Sequence, residues 1–200
     1  MYRKVDTSER VWQVGRWLGA RPSWVWRLLA LAVLAGLSLF VLWQASLPVN
    51  GVRYFWLDDD QMISMRYGRH LAQGKGLVWN EGEPVEGYTN FLWTAVMAGV
   101  HLLGVPSPLT SLVIKLINLA LAGWVLWLSE KLMRLLHFQV ETAVSVETAV
   151  PFLWLTLALC LDVVYWSANG FETTLLTAVF LLVIVRILGQ KRAEWLTALL

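Results

Sequence analysis

The chain has 200 residues, of which 58% are hydrophobic, 15% are charged and 13 are tryptophan. Soluble domains carry about a quarter charged residues, so this balance excludes an ordinary soluble domain and is that of an all-α polytopic membrane protein, with Trp gathered at the membrane–water interfaces. A net charge of +2 leaves no basic field for nucleic acid, and the single cysteine, Cys160, excludes an internal disulfide framework.

Residues 1–27 read as a cytoplasmic leader rich in Arg and Lys, whose Trp12, Trp17, Trp24 and Trp26 suggest an interfacial helix on anionic membrane lipids. Residues 28–48 carry no charge and are long enough to cross a bilayer, which takes about 20 apolar residues. They are expected to form transmembrane helix 1. The long leader and the spans that follow favour an anchor over a cleaved signal peptide. Residues 49–108 form the first extracytoplasmic loop, and 88–104 within it is apolar but short. If 88–104 does not cross, eleven Lys and Arg fall in the cytoplasm and four (Arg53, Arg66, Arg69, Lys75) outside, the asymmetry that sets orientation. That segment therefore reads as an interfacial or re-entrant helix.

Transmembrane helix 2 is expected at 109–130, a cytoplasmic loop at 131–148, and transmembrane helix 3 at 149–167. A second extracytoplasmic loop follows at 168–172, then transmembrane helix 4 at 173–189. Residues 190–200 read as a cytoplasmic turn and the start of a further helix, so the chain resembles the N-terminal part of a longer protein. The cytoplasmic loop carries a five-residue echo, Val140-Glu-Thr-Ala-Val144 and Val146-Glu-Thr-Ala-Val150. Cys160 lies in an apolar run with no neighbouring cation and reads as a packed thiol. On this topology the segment 166–173 emerges on the same face as the polar stretch 58–90.

That polar stretch opens on Asp58, Asp59 and Asp60. Residues 59–73 suit a helix, with Asp58 or Asp59 at the N-cap, carboxylates at the positive end of the helix dipole and Gly74 at the C-terminal cap. At about 100° per residue, Asp59, Ile63, Arg66 and His70 share one stripe, with Asp60, Tyr67 and Leu71 beside it. The apolar residues make no single clean face. Three adjacent carboxylates repel one another, which favours a raised pKa in at least one and suits a general base; the alternative is a cap with solvated charges. Arg66 lies about 10 Å along the axis from Asp59, too far for a tight ion pair with it.

The pattern Asp59-Asp60-x-x-Ile63-Ser64-x-Arg66-Tyr67, then Leu71-Ala72-x-Gly74-x-Gly76-Leu77-Val78, then Glu86-Gly87-Tyr88-Thr89-Asn90-Phe91-Leu92-Trp93, resembles the first extracytoplasmic loop of the GT-C glycosyltransferases. Within them it is similar to bacterial arabinofuranosyltransferases and to dolichyl-phosphate-mannose mannosyltransferases. Asn169-Gly170-Phe171-Glu172-Thr173 resembles their second-loop motif, with Asn in place of Ser and Phe in place of Leu or Met.

The resemblance, which covers 58–173, implies a GT-C-like transmembrane helix bundle with a helical first loop, in a multi-pass protein of the inner (plasma) membrane with a cytoplasmic N-terminus. It implies a polyprenyl-phosphate-linked sugar as donor and a hydroxyl of a lipid, glycan or protein as acceptor. Asp59 or Asp60 would be the base, with Asp59 opening the motif and Asp58 an additional carboxylate beside it. Arg66 and Arg69 are candidates for the donor phosphate. Tyr88, Glu172, His70, Glu86 and Asn90 are candidates for substrate contacts, Tyr88 by stacking on a sugar; Trp93 reads better as an interfacial anchor. A divalent cation shared by Asp59, Asp60 and Glu172 is the one cofactor considered, and no spacing suggests zinc. The rival readings are a transporter or flippase and a non-catalytic assembly subunit.

Overall fold

The computed structural model describes residues 22–139 and 145–198, which are mostly helical. The interfacial helix expected in the leader up to Arg21, and the first copy of the echo at 140–144, lie outside the described residues. The helices are α1 (Ser23–Gln44), α2 (Asp59–Ala72), α3 (Phe91–Leu102), α4 (Ser107–Gln139), α5 (Val146–Leu159), α6 (Leu161–Ala168) and α7 (Thr173–Ala198). Three of them, α1, α4 and α7, are long and apolar enough to cross a membrane; α5 and α6, bent by 56° at their junction, are long and apolar enough only when taken as one.

α1 buries one stripe, Trp26, Ala30, Leu34, Ser38 and Leu42, at a spacing of four residues, and leaves Leu39, Phe40 and Trp43 exposed. It is shorter at its C-terminus than the expected span. Residues 46–55 instead form a hairpin, β1 (Ser46–Val49) antiparallel to β2 (Val52–Phe55), with Val49 facing Val52. This departs from the all-α expectation, and its cause is local. Asn50 and Gly51 both take positive φ (50° and 80°), the two-residue turn whose twist matches paired strands. Arg53 secures the hairpin to α1, bonding Ser46 Oγ at 2.8 Å and stacking 3.9 Å from the Trp43 ring.

α4 runs on through the segment 131–139 expected to be a loop, because no Gly or Pro interrupts it. At 33 residues it is about 50 Å long. The expected third span is broken at Cys160 into α5 and α6. α7 likewise continues through the turn expected after Gly189, as far as Ala198. α3 has 12 residues, about 18 Å, too short for a hydrocarbon core of about 30 Å.

Two apolar cores result. One joins α1, α4, α5 and α6 through Ala30, Leu34, Ala122, Leu126, Val150, Trp154, Ala158 and Val164. The other lies at one end of the bundle, where Leu57, Met65, Trp93, Met97 and Val100 pack on Ile114 of α4. At the opposite end Glu130 ties three helices together. Arg27 of α1 holds both its carboxylate oxygens (2.9 and 2.5 Å), Arg134 donates at 2.8 Å and Trp154 Nε1 of α5 at 2.7 Å. A buried carboxylate persists only when so fully paired.

Candidate functional site

The polar end of the bundle is built on α2. Asp58 occupies its N-cap position, with Asp59 and Asp60 in the first turn. Its C-terminus closes as expected at Gly74 (φ 74°): Lys75 N–H bonds His70 C=O and Gly74 N–H bonds Leu71 C=O, both at 3.0 Å, the Schellman arrangement.

The face of α2 turned to α3 is Gln61, Ser64, Met65, Tyr67 and Gly68, all buried. Small and polar groups let the two helices approach closely; a Cβ on Gly68 would lie 3.0 Å from Ala98 N and Thr94 O. Asn90 locks the pair, its Oδ1 accepting from Ser64 Oγ (2.8 Å) and Thr94 Oγ1 (3.1 Å). Tyr67 reaches the intervening loop. Its hydroxyl donates to Val85 O at 2.7 Å, its ring meets Tyr88 edge-on at 5.0 Å, and Gly87 leaves room for it.

The other face of α2 lines an open cavity of about 800 Å³. Asp59, Ile63, Arg66 and His70, the stripe read from the sequence, all line it, joined by Arg69, Lys75, Trp79, His101 of α3 and Ser107, Thr110 and Ser111 of α4. Arg66 is not a loose cation. It donates to Trp79 O (2.9 Å) and Asn80 Oδ1 (3.1 Å) and lies 4.2 Å from the Trp79 ring, so it holds the loop down as a wall. His70 does the same through Nδ1 and Val78 O at 2.8 Å. Lys75 pairs with Glu81 at 2.5 Å, and its hydrogen bond holds the Glu81 carboxyl below the usual range. Arg69 has no side-chain partner among the described residues and remains available to an anion. His101 Nε2 is buried with no hydrogen-bond partner among the described residues, and burial, then the Arg69 charge, lower its pKa.

Asp59 and Asp60 are both exposed, but Asp59 lines the cavity while Asp60 does not. Asp58 is half-buried and makes no capping bond; its Oδ2 accepts from Tyr165 of α6 at 3.3 Å. Glu86 is exposed on the loop between α2 and α3, outside the cavity wall, and Tyr88 packs on Tyr67 rather than lining it.

The second outer segment meets the first directly. Trp93 is buried and donates Nε1 to Gly170 O at 2.9 Å, which replaces the expected interfacial anchor with a bond between the two loops. Gly170 (φ 82°) lies against Leu57, and a Cβ there would fall 3.0 Å from its side chain. Beneath this contact Asn118 of α4 donates to Trp166 O, Ser167 O and Phe171 O, and buried Lys115 reaches Asn169 Oδ1 at 3.4 Å.

Glu172 does not join Asp59. It lines a separate recess of about 370 Å³ with Asn90, Trp93 and the apolar start of α7, and its Oε2 is buried with no donor among the described residues. Leaving such an acceptor unmet costs about 1–3 kcal/mol. Among the described residues no three His, Cys, Asp or Glu side chains converge as metal ligands, and the structure does not bring Asp59, Asp60 and Glu172 together as one set.

Comparison with family models, curated proteins and solved structures found no match. The site therefore rests on its own geometry. Sequence reasoning missed His101, Trp79 and the Ser107, Thr110 and Ser111 wall. A lone His in an apolar run and hydroxyls at a helix start carry no pattern of their own. Lys115 did carry a signal, a charge inside an apolar run.

Proposed function

We propose that the chain belongs to a membrane-embedded glycosyltransferase of GT-C type, in the plasma membrane with its N-terminus cytoplasmic. It would move a sugar from a polyprenyl-phosphate donor to a hydroxyl acceptor at the outer face. The observation that carries this reading is the main cavity, where Asp59 and Arg69, neither with a side-chain partner among the described residues, share the walls. The motif resemblance across 58–173 supports it independently.

The chemistry follows from these groups. The acceptor hydroxyl loses its proton to the Asp59 carboxylate as its oxygen attacks the anomeric carbon. The new C–O bond forms while the bond from that carbon to the phosphate oxygen breaks, and the lipid phosphate leaves with the electron pair. Its charge is met by Arg69, whose planar guanidinium can bind phosphate through two N–H groups. Arg66 and His70 act one step removed, by keeping the loop 78–80 in place as a wall. Asp58, turned to Tyr165, and Asp60, outside the wall, serve the helix start. A donor whose tail stays in lipid needs a site at the end of a bundle of membrane-long helices, which a soluble sugar nucleotide would not.

One observation favours the transporter reading, the buried Lys115 in α4. It lies two turns from the helix start, about 12 Å, and is engaged with Asn169, which suits a brace between loops better than a mid-membrane ion site. The deciding comparison is sugar transfer by the full-length protein. Asp59→Asn should lower turnover by at least about a hundredfold, while Asp60→Asn should retain most of it. Unchanged turnover in Asp59→Asn removes the general-base assignment.

A further inference from the structure

We infer that the recess between α3 and α7 is a second binding site, for an alcohol carried at the head of an apolar chain. Its hydroxyl would donate to Glu172 Oε2, and its chain would lie along Leu175, Leu176 and Val179. This deepens the proposed function by naming the acceptor as lipid-borne, and it rests on that reading only for the word acceptor.

The recess has two parts of opposite character. One part holds Asn90 and the Glu172 oxygen that is buried with no donor among the described residues. Asn90 Oδ1 is already taken by Ser64 and Thr94, so Glu172 is the acceptor left open. The other part is apolar, and Phe91, Leu92 and Leu176 on its rim are exposed, Leu176 by 67%. Only 11% of the apolar window of α7 is buried, so the recess opens along a helix flank that suits contact with lipid. A carboxylate oxygen withdrawn from water asks for a hydrogen-bond donor, and the walls leading to it ask for hydrocarbon. A water-soluble glycan or a peptide would meet the second demand poorly. A long-chain alcohol arriving sideways from the bilayer meets both. The main cavity differs in that charged and hydroxyl groups, which suit the sugar and phosphate of the donor, are interspersed among its apolar walls of Met62, Ile63, Met65 and Trp79.

The test uses the full-length protein in lipid nanodiscs with a diazirine-bearing farnesol as probe and its methyl ether as control. Light should attach the alcohol to peptides containing residues 172–179 or 89–93. The ether, which cannot donate, and the Glu172→Leu variant should each lower capture about tenfold. Glu172→Gln, which keeps an acceptor oxygen, should restore part of it. Leu176→Trp, which fills the recess and leaves Glu172 in place, should also block capture. Equal capture of alcohol and ether, attachment elsewhere, or full capture by Glu172→Leu overturns the inference, as does a recess that takes no probe because another helix fills it. Asp59→Asn separates the two readings, because it should abolish transfer and leave capture unchanged. Loss of capture with transfer intact in the wild type would remove the lipid acceptor and leave the transferase.

Discussion

Single side chains at the polar end differ in how far they are already committed. Arg66, His70 and Lys75 are each spent on the loop 78–81, whereas Asp59 and Arg69 keep their charges for the cavity. His101 adds to that cavity a titratable group that no sequence pattern singles out. Its pKa is lowered from the ordinary 6.5, first by burial and then by Arg69. The unfolded chain therefore takes up the His101 proton at a higher pH than the folded one. The neutral ring's contribution to stability is complete above about pH 6.5 and is lost as pH falls from there through the lower folded value. Thermal unfolding of the wild type should weaken on acidification through that range, and His101→Gln should flatten the decline. Arg69→Ala should shorten the decline and end it at a higher pH, since one of the two causes of the lowered folded value is gone. A His101→Gln profile identical to wild type would show that another group governs it.

Among the elements, the pair α2 and α3 best shows what was legible in the sequence and what was not. The helix at 59–73, its cap at Gly74 and the stripe facing the cavity could all be read from spacing and cap chemistry. The face that packs could not, because it consists of Gln61, Ser64 and Gly68 where an apolar pattern would be sought. Close approach substitutes for side-chain volume there. Gly68→Ala should push α2 from α3 and cost about 1–3 kcal/mol, the usual range for overpacking. It should lower turnover too, because the part of the cavity wall that α3 supplies would move away from Asp59 and Arg69 on α2. Unchanged unfolding would mean the helices have slack that the 3.0 Å approach does not suggest. The hairpin at Asn50-Gly51 was readable in principle, since that dipeptide is the strongest short hairpin signal, but the neighbouring apolar span masked it. The break at Cys160 and the length of α4 were not readable, because apolar composition fixes neither a bend nor where a helix ends.

At the scale of the whole chain, the contacts from Trp93 to Gly170 and from Asp58 to Tyr165 bring segments about 80 to 110 positions apart to one end of the bundle. The Arg27–Glu130–Arg134 cluster marks the other end. Membrane-impermeant thiol labelling in a Cys160→Ala background tests this arrangement. Asn169 is buried and makes a poor reporter, whereas Glu83→Cys, Thr173→Cys and Glu147→Cys all replace exposed residues. The first two should label from outside and the third only from the cytoplasm. Glu83→Cys and Thr173→Cys labelling from opposite sides would break the arrangement on which the site depends.

The central claim is bond-breaking chemistry on a lipid-phosphate donor, and its most direct measurement is the fate of that donor. Full-length protein in nanodiscs, given radiolabelled polyprenyl-phosphate sugars and a lipid alcohol, should release polyprenyl phosphate in step with glycosylated alcohol, and Asp59→Asn should form neither. Donor that crosses the bilayer with its sugar still attached, or stays unchanged beside active wild-type protein, would contradict the account.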